Sequence, residues 1–302
     1  MKAALSTDQL EDMGAEAQYP RQVMFQRFFS HSGAIFGGLV VALAIIMAIF
    51  APVLAPYHPY EQELSLRLQP PVWNDQGAWN HILGTDHLGR DYLSRLVYGV
   101  RVSLLVGILA TIISGIIGST LGLIGGYFGG RVDSLVMYII NTKLSLPGIL
   151  LALALVNMIG GSIATVTIVL GFLLWDRYAV VVRSTTQQVR ACDYVMAAEV
   201  IGASKIRTII LEVLPNVMNQ IIVVATLEMA LAILAEAGLS FLGLGVKPPT
   251  PSWGLMMSEG RNFMFFKPYL IAIPGTALFL VVLAINLLGD GIRDVTSPEG
   301  RN

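Results

Sequence analysis

The most informative residues of this chain lie in one short polar, helix-prone segment, at positions 193–204, between two long apolar stretches. Within it, Gly202-Ala203-Ser204 lets one short helix end and a second begin. Such a segment offers a surface on which another protein can close, so it predicts protein recognition rather than bond breaking. The alternative interpretation is an ordinary helix whose small residues serve packing within the chain. The contacts that we select are Tyr194, Ala197, Ala198, Gly202, Ala203 and Ser204, with Pro215 ending the loop.

Sequence patterns that carry catalysis are absent. The chain contains no Gly-x-x-x-x-Gly-Lys-Ser/Thr phosphate loop, no His/Glu metal motif and no Gly-x-Ser-x-Gly nucleophile elbow. The histidines are too dispersed for metal ligands and lie outside the long apolar runs; they are His31, His58, His81 and His87. We therefore predict that this chain is not an enzyme and binds neither a metal nor a cofactor.

The elements that must position the polar segment are membrane helices, because the composition is that of an integral membrane protein. Hydrophobic residues make up 55% of the 302 residues and charged residues only 13%, whereas a soluble domain has roughly 25% charged residues. The mean hydropathy is +0.68. A net charge of -1, with basic residues scattered along the chain, excludes nucleic acid as a partner. The single cysteine, Cys192, excludes an internal disulfide and suits a reducing side for the polar segment.

Apolar runs with few or no charges, long enough to cross a hydrocarbon core of about 20 helical residues, predict six spans in an all-α fold. Gly160-Gly161 marks the hairpin tip between the third and fourth spans, and Pro147 is expected to kink the third. The first run is interpreted as an uncleaved span rather than a secretory signal. Alternating β-strands of about ten residues, as in membrane barrels, are absent from the pattern. The predicted parts are a cytoplasmic tail at 1–32, spans at about 33–54, 102–125, 134–156, 163–183, 217–237 and 269–289, and a polar loop at 184–216.

Basic residues near the span ends set the predicted orientation. With both termini inside, ten of the lysines and arginines outside the spans fall on the cytoplasmic side and seven on the outer side. The bias is small, but the densest group close to span ends, from Arg183 to Arg207, then lies inside. We therefore expect cytoplasmic N and C termini and a polar loop (residues 184–216) on the cytoplasmic side.

Charges inside the predicted spans are costly in lipid and usually face the protein interior. The deepest are Lys143 in the third span and Glu228 in the fifth. We expect them to form a buried pair, with a pathway-lining role for Lys143 as the alternative. Asp176 and Arg177 come late in the fourth span, where a local pair or snorkelling to the interface explains them.

Several separated blocks carry a resemblance to a known family. They are 83–91 (Leu-Gly-Thr-Asp-His-Leu-Gly-Arg-Asp), 239–245 (Leu-Ser-Phe-Leu-Gly-Leu-Gly) with 248–254 (Pro-Pro-Thr-Pro-Ser-Trp-Gly), 286–294 (Asn-Leu-Leu-Gly-Asp-Gly-Ile-Arg-Asp), and the polar loop with its Ala-Ala, Gly and Pro spacing. In this order they resemble permease subunits of ABC importers of the dipeptide, oligopeptide and nickel family, and within it the second, C-type permease of dipeptide importers. The resemblance covers nearly the whole chain after residue 33.

The resemblance implies a type I ABC importer permease fold for residues 33–302, in a bacterial plasma (inner) membrane. It implies as partners a second homologous permease subunit, two ATP-binding subunits that carry ATP and magnesium, and an extracytoplasmic substrate-binding protein, besides membrane lipid. It assigns the polar loop to docking on the ATP-binding subunits. The family pattern opens this loop with Glu where this chain has Met196, which puts in doubt a salt bridge carried by that Glu. Glu199 and Lys205 are either charged contacts at the rim of this surface or solvated side chains.

The two outer segments have two possible tasks. Pro249, Pro251 and Trp253 stiffen an outer loop that either receives the binding protein or closes the subunit. Asp86, Arg90 and Asp91 are candidates for a local ion-pair network instead of a docking surface.

The cargo implied by the resemblance is a di- or oligopeptide, with nickel complexes, glutathione and opine or sugar compounds as alternatives. A stand-alone secondary transporter would call for inverted repeats or a chain of acidic residues through the spans, and the sequence has neither. An intramembrane enzyme would need one of the catalytic motifs that the sequence lacks. The sequence therefore favours an importer permease.

Overall fold

The computed structural model of the protein describes residues 31–296, which are folded into helices and connecting loops. Nearly all of the predicted tail at 1–32 lies outside the described residues. The helices of the first half are α1 (Ser32–Ile49), α2 (Ala51–Leu54), α3 (Tyr92–Phe128), α4 (Gly130–Leu144), α5 (Gly148–Ile159), α6 (Ile163–Leu173) and α7 (Asp176–Arg190). Those of the second half are α8 (Asp193–Val200), α9 (Lys205–Thr208), α10 (Leu214–Phe241), α11 (Trp253–Gly260) and α12 (Tyr269–Thr296). Single 3-10 turns occur at Leu64–Leu66, Trp79–His81 and Arg261–Phe263, and a π-helical turn at Ile209–Val213 joins α9 to α10.

Five helical stretches are long and apolar enough to cross a membrane, and a bent pair of helices is a sixth candidate. The five are Ser32–Ile49, Tyr92–Phe128, Ile163–Arg190, Lys205–Phe241 and Tyr269–Val295. The bent pair is α4 and α5, which meet at an angle of 77°. The predicted third span is therefore two helices. Pro147 lacks the N–H that would continue the α4 hydrogen-bond ladder, and it serves as the N-cap residue of α5.

The helices extend beyond the predicted spans because a helix can continue past the hydrocarbon core. α3 begins at Tyr92, ahead of the predicted start at 102, since the Asp91 carboxylate accepts a hydrogen bond from the Ser94 amide at 2.7 Å. Arg95 and Arg101 then lie within α3 although they are charged. Charge-free runs thus predict the membrane-embedded part of a helix and not its ends.

Helix α3 runs through the centre of the fold and packs closely against α7. At Gly118, Gly122 and Gly126, an added Cβ would lie 2.2, 2.8 and 2.6 Å from backbone carbonyl oxygens of α7 and of the residue before it. These glycines recur every four residues, so they form one stripe on α3 along which the two backbones meet. The consequence is that α3 and the α6–α7 span form one packed unit that ends at the polar loop.

Candidate functional site

The polar loop consists of two short helices with a sharp turn between them. Gly202 follows α8 with a φ of +93°, in the left-handed region, and its amide donates to the Glu199 carbonyl at 3.0 Å. The Ser204 hydroxyl accepts from the Arg207 amide at 3.4 Å and caps α9. These contacts confirm the predicted helix end at Gly202 and helix start at Ser204. Pro215 lies in the first turn of α10, where its missing N–H is tolerated.

Large apolar side chains of the polar loop point away from the rest of the chain. Val200 is 87% exposed, Ile201 86% and Ile206 70%. Such a patch is unfavourable in water and is typical of a surface that another protein or the membrane covers. The predicted contacts surround it: Tyr194, Ala197, Gly202, Ser204 and Pro215 are exposed, and Ala198 and Ala203 are half-buried. We call Val200, Ile201 and Ile206 the apolar patch.

The Tyr194 side chain remains a hydrogen-bond donor at this surface. Partial burial raises the pKa of the Tyr194 phenol above its usual range, with smaller electrostatic contributions from Cys192 and Glu212. Its hydroxyl is therefore protonated at neutral pH.

A tyrosine at the end of α3 fastens the polar loop to the spans. The Tyr127 hydroxyl donates to Glu199 Oε1 at 2.7 Å, and the Arg190 guanidinium lies 5.3 Å from the centre of the Tyr127 ring. Tyr127 also packs in a buried cluster with Val182 of α7 and Val195 of α8. Because these contacts connect α3, α7 and α8, the polar loop is attached to two spans.

Sequence reasoning missed this role of Tyr127, and it placed Glu199 at the rim as a charged contact or a solvated side chain. In the structure Glu199 is exposed, and its carboxylate accepts a hydrogen bond from Tyr127, a partner 72 positions away. A weak signal was available, since a tyrosine that ends an apolar run carries a polar group able to leave the span.

The predicted pair of Lys143 and Glu228 is wrong in this structure. Lys143 Nζ contacts Asp176, and Glu228 Oε1 lies 3.5 Å from Arg177 Nε. The reason is helix packing, because a buried cluster places α4 against the start of α7 through side chains such as Ile140 and Trp175. Asp176 and Arg177 do not pair with each other, since consecutive residues of a helix project in different directions.

A second charged group lies at the other end of α3, and we call it the charged clamp. Its members are Asp86, Arg90, Arg95 and Glu259. Glu259 Oε2 lies 2.9 Å from Nη2 of both arginines, and Arg90 Nε lies 2.5 Å from Asp86 Oδ2. All four side chains are at most 15% exposed. The clamp thereby joins the long segment before α3 to α11.

The predicted network of Asp86, Arg90 and Asp91 is only partly present. Asp86 and Arg90 do pair, but Asp91 caps α3 and lies 2.8 Å from His81 Nδ1. A residue remote in sequence, Glu259, takes the place expected for Asp91, which a local pattern could not have indicated.

The segment before α11 is mostly a packing element. Trp253 is 3% exposed, and its indole N–H donates to the Leu96 carbonyl at 3.0 Å. Pro251 is also buried, whereas Pro249 is exposed. Burial removes Pro251 and Trp253 from the predicted docking surface. The alternative, a loop that closes the subunit, describes these two residues better.

One group of potential metal ligands occurs among the described residues. Ligand atoms of Asp86, His87 and Glu259 lie within 4.8 Å of one another. The sequence did not indicate this cluster, because Glu259 is remote from His87 along the chain. Both carboxylates already face Arg90 and Arg95. Their charge is therefore balanced within the clamp, and the donor set does not favour a cation.

The fold is that of a membrane permease of an ABC transporter. Over 67% of its length the chain resembles 97% of a chain in an inward-facing structure of the MetNI methionine ABC transporter, with a TM-score of 0.57 and 17% sequence identity. At that identity the likeness concerns the fold alone.

The chain belongs to the family of binding-protein-dependent transport system inner membrane components, whose model matches residues 118–301. Residues 20–71 match a second model, the N-terminal transmembrane domain of oligopeptide transport permease C. The family assigns the chain to the multi-pass permease component of an ABC system, which is not itself catalytic, and it confirms the predicted resemblance.

Three relatives illustrate the similarity. The chain is 43% identical over 280 residues to the dipeptide transport system permease protein DppC of Escherichia coli (strain K12), with 93% of each chain covered. It is 41% identical over 283 residues to the di/tripeptide transport system permease protein DppC of Pseudomonas aeruginosa (strain UCBPP-PA14), covering 94% of this chain and 93% of that protein. It is 37% identical over 284 residues to the glutathione transport system permease protein GsiD of Escherichia coli O6:K15:H31, covering 94% and 92%.

Proposed function

We propose that this chain is the C-type permease subunit of an ATP-driven importer that translocates di- and tripeptides delivered by a binding protein. The observation that carries the proposal is near full-length identity of 41% and 43% to permeases of di/tripeptide and dipeptide systems, above the 37% to a glutathione permease. Glutathione, itself a small peptide, is the second candidate cargo.

The proposed complex contains a second homologous permease subunit, two ATP-binding subunits and an extracytoplasmic binding protein in a bacterial inner membrane. ATP and magnesium belong to the ATP-binding subunits, because this sequence has no phosphate loop. Both termini and the polar loop lie on the cytoplasmic side. The charged clamp then lies on the outer side, since it is at the other end of α3.

Coupling to ATP hydrolysis runs through the polar loop in this proposal. Closure of the ATP-binding subunits displaces α8 and α9, whose apolar patch seats in a cleft of the partner. Tyr127 carries this displacement into α3, and the glycine stripe carries it into α7. The permease then exchanges an outward-facing for an inward-facing pathway.

The test is uptake of a radiolabelled dipeptide by proteoliposomes that contain the whole transporter. We expect uptake that requires ATP, the ATP-binding subunits and the binding protein, and that excess unlabelled dipeptide suppresses more strongly than glutathione does. Uptake without the ATP-binding subunits would refute the proposal. Stronger suppression by glutathione would identify glutathione as the cargo instead of a dipeptide.

Gly202 gives a sharper test of coupling. Nothing lies within 4 Å of a Cβ added there, but its φ of +93° strains any branched side chain. We expect Gly202→Val to keep the spans folded and to lower peptide import per ATP hydrolysed, because the left-handed conformation costs about 1–2 kcal/mol. Gly202→Asn is the matched control, since asparagine tolerates this conformation better. Equal coupling ratios in both variants and the wild type would contradict the assignment.

A further inference from the structure

Arg177 lies exposed within an apolar membrane span. Its side chain is 61% exposed, although Ile163–Arg190 is the most buried of the five continuous spans. The other exposed side chains nearby are apolar: Ile168 and Phe172 in α6, and Val180 in α7. Arg177 is thus an exposed cation in an otherwise apolar part of the span.

Three predicted spans bring charges together beside Arg177. Lys143 contacts Asp176, and Glu228 Oε1 lies 3.5 Å from Arg177 Nε. These residues all fall within the predicted spans at 134–156, 163–183 and 217–237. Charged residues in such spans usually face the protein interior or a water-filled cavity.

Lipid is an unfavourable neighbour for the Arg177 face. A guanidinium at the centre of a bilayer is strongly disfavoured, and such residues face a water-filled cavity or another protein. The Glu228 carboxylate at 3.5 Å contacts Nε, and no described residue forms a hydrogen bond with the terminal nitrogens. By contrast, the exposed face of α1 carries apolar side chains such as Leu39, Leu43 and Ile46, as lipid requires.

We propose that Arg177 forms an anion site on the translocation pathway that takes the terminal carboxylate of the passing peptide. This inference rests on the proposed function. The planar guanidinium can donate two parallel hydrogen bonds to one carboxylate. Buried Glu228 contacts Arg177 only at Nε, at 3.5 Å, so the terminal nitrogens of Arg177 are the hydrogen-bond donors that this cluster presents.

The cargo rather than the second permease subunit is the source of the carboxylate in this proposal. Dipeptides, tripeptides and glutathione, which the names of the three relatives specify, all carry a free terminal carboxylate. A contact opposed by Glu228 is also weak, and a pathway site must release its ligand. An acidic side chain of the second permease subunit is the competing source, and the experiment separates the two.

The first measurement tests whether Arg177 faces the pathway. Cys192 is the only cysteine, so Cys192→Ser gives a cysteine-free chain in one step. In proteoliposomes of the whole transporter, Arg177→Cys should react with a membrane-impermeant methanethiosulfonate reagent, and excess dipeptide with binding protein and ATP should slow this reaction. Leu43→Cys, on the apolar face of α1, is the control and should stay unmodified. Equal reactivity at the two positions, or no protection by dipeptide, would overturn the proposal.

The second measurement tests the charge. At saturating peptide-loaded binding protein, Arg177→Gln should lower the maximal dipeptide uptake rate about tenfold, as expected for loss of one charge-assisted hydrogen-bond pair, and Arg177→Lys should restore part of it. The second permease subunit should co-purify with Arg177→Gln as with the wild type. Loss of that subunit would identify Arg177 as a subunit contact and overturn the proposal, as would an unchanged uptake rate. A wild-type transporter without peptide uptake would instead refute the proposed function.

Discussion

The two ends of α3 differ in how far the chain itself covers their side chains. At its start, the charged clamp satisfies its own charges within the chain, and nearly all of its surface is covered. At its end, the polar loop leaves the apolar patch uncovered and is attached through a few contacts. The difference teaches that the charges at one end are satisfied within the chain, whereas the other end leaves an apolar surface that the proposed ATP-binding subunits would cover.

In the isolated subunit, mutations in the charged clamp should lower stability more than mutations in the polar loop. We expect Glu259→Ala to lower the free energy of unfolding by about 3–5 kcal/mol, because it leaves two buried arginines without their shared carboxylate. Two measurements check this: thermal unfolding of the purified subunit, and the abundance of the subunit in the membrane before purification. Glu61→Ala, an exposed acid in the same segment, is the control and should resemble the wild type. A stable Glu259→Ala variant would remove the contrast between the two ends.

The apolar patch should respond in the opposite way. Ile201→Ser should leave the permease fold unchanged and weaken its hold on the proposed ATP-binding subunits, since burial of such a side chain is worth about 1.5–3 kcal/mol. The readout is the amount of ATP-binding subunit that remains after detergent purification at several dilutions. Phe265→Ser removes an equally exposed side chain, 84% against 86%, just before α12 at the clamp end. A similar loss of ATP-binding subunit in both variants would show that the apolar patch is not the binding surface.

The smallest effect is expected where the loop meets the spans. Tyr127→Phe removes the hydroxyl that donates to Glu199 and should weaken this attachment by about 1 kcal/mol. ATP hydrolysis should continue with fewer peptides imported per ATP, while the ATP-binding subunits stay bound. Tyr138→Phe is the control, because its side chain is 69% exposed. An unchanged import ratio would mean that the loop is held by apolar packing alone.

Local patterns in the sequence predicted the features that depend on local physics. The spans follow from uncharged runs, the end of α8 from Gly202, the start of α9 from Ser204, and the interruption of the third span from Pro147. Each of these depends on a residue's own backbone preference or on hydropathy within one helix. Only the extent of the interruption, a bend of 77°, exceeds the predicted kink.

The mistaken or missed features depend on packing between distant helices. Lys143 pairs with Asp176 because α4 lies against α7, which no spacing within either helix reveals. Trp253 follows a proline-rich stretch, a pattern that suits an interfacial loop, yet it is buried against α3. Glu259 completes the clamp from 164 positions beyond Arg95. The sequence therefore predicted which residues are important better than it predicted which distant residues they contact.

The glycine stripe of α3 has a mechanical consequence. Two helices that touch through their backbones have no flexible side chains between them to absorb a displacement, and packed protein interiors have low compressibility. The pair should therefore behave as a stiff beam, about 50 Å long by the rise of an α-helix. In the proposed coupling, a shift of α8 would then be passed along α3 and α7 with little loss, because Gly118, Gly122 and Gly126 leave no side chain between the two backbones to yield.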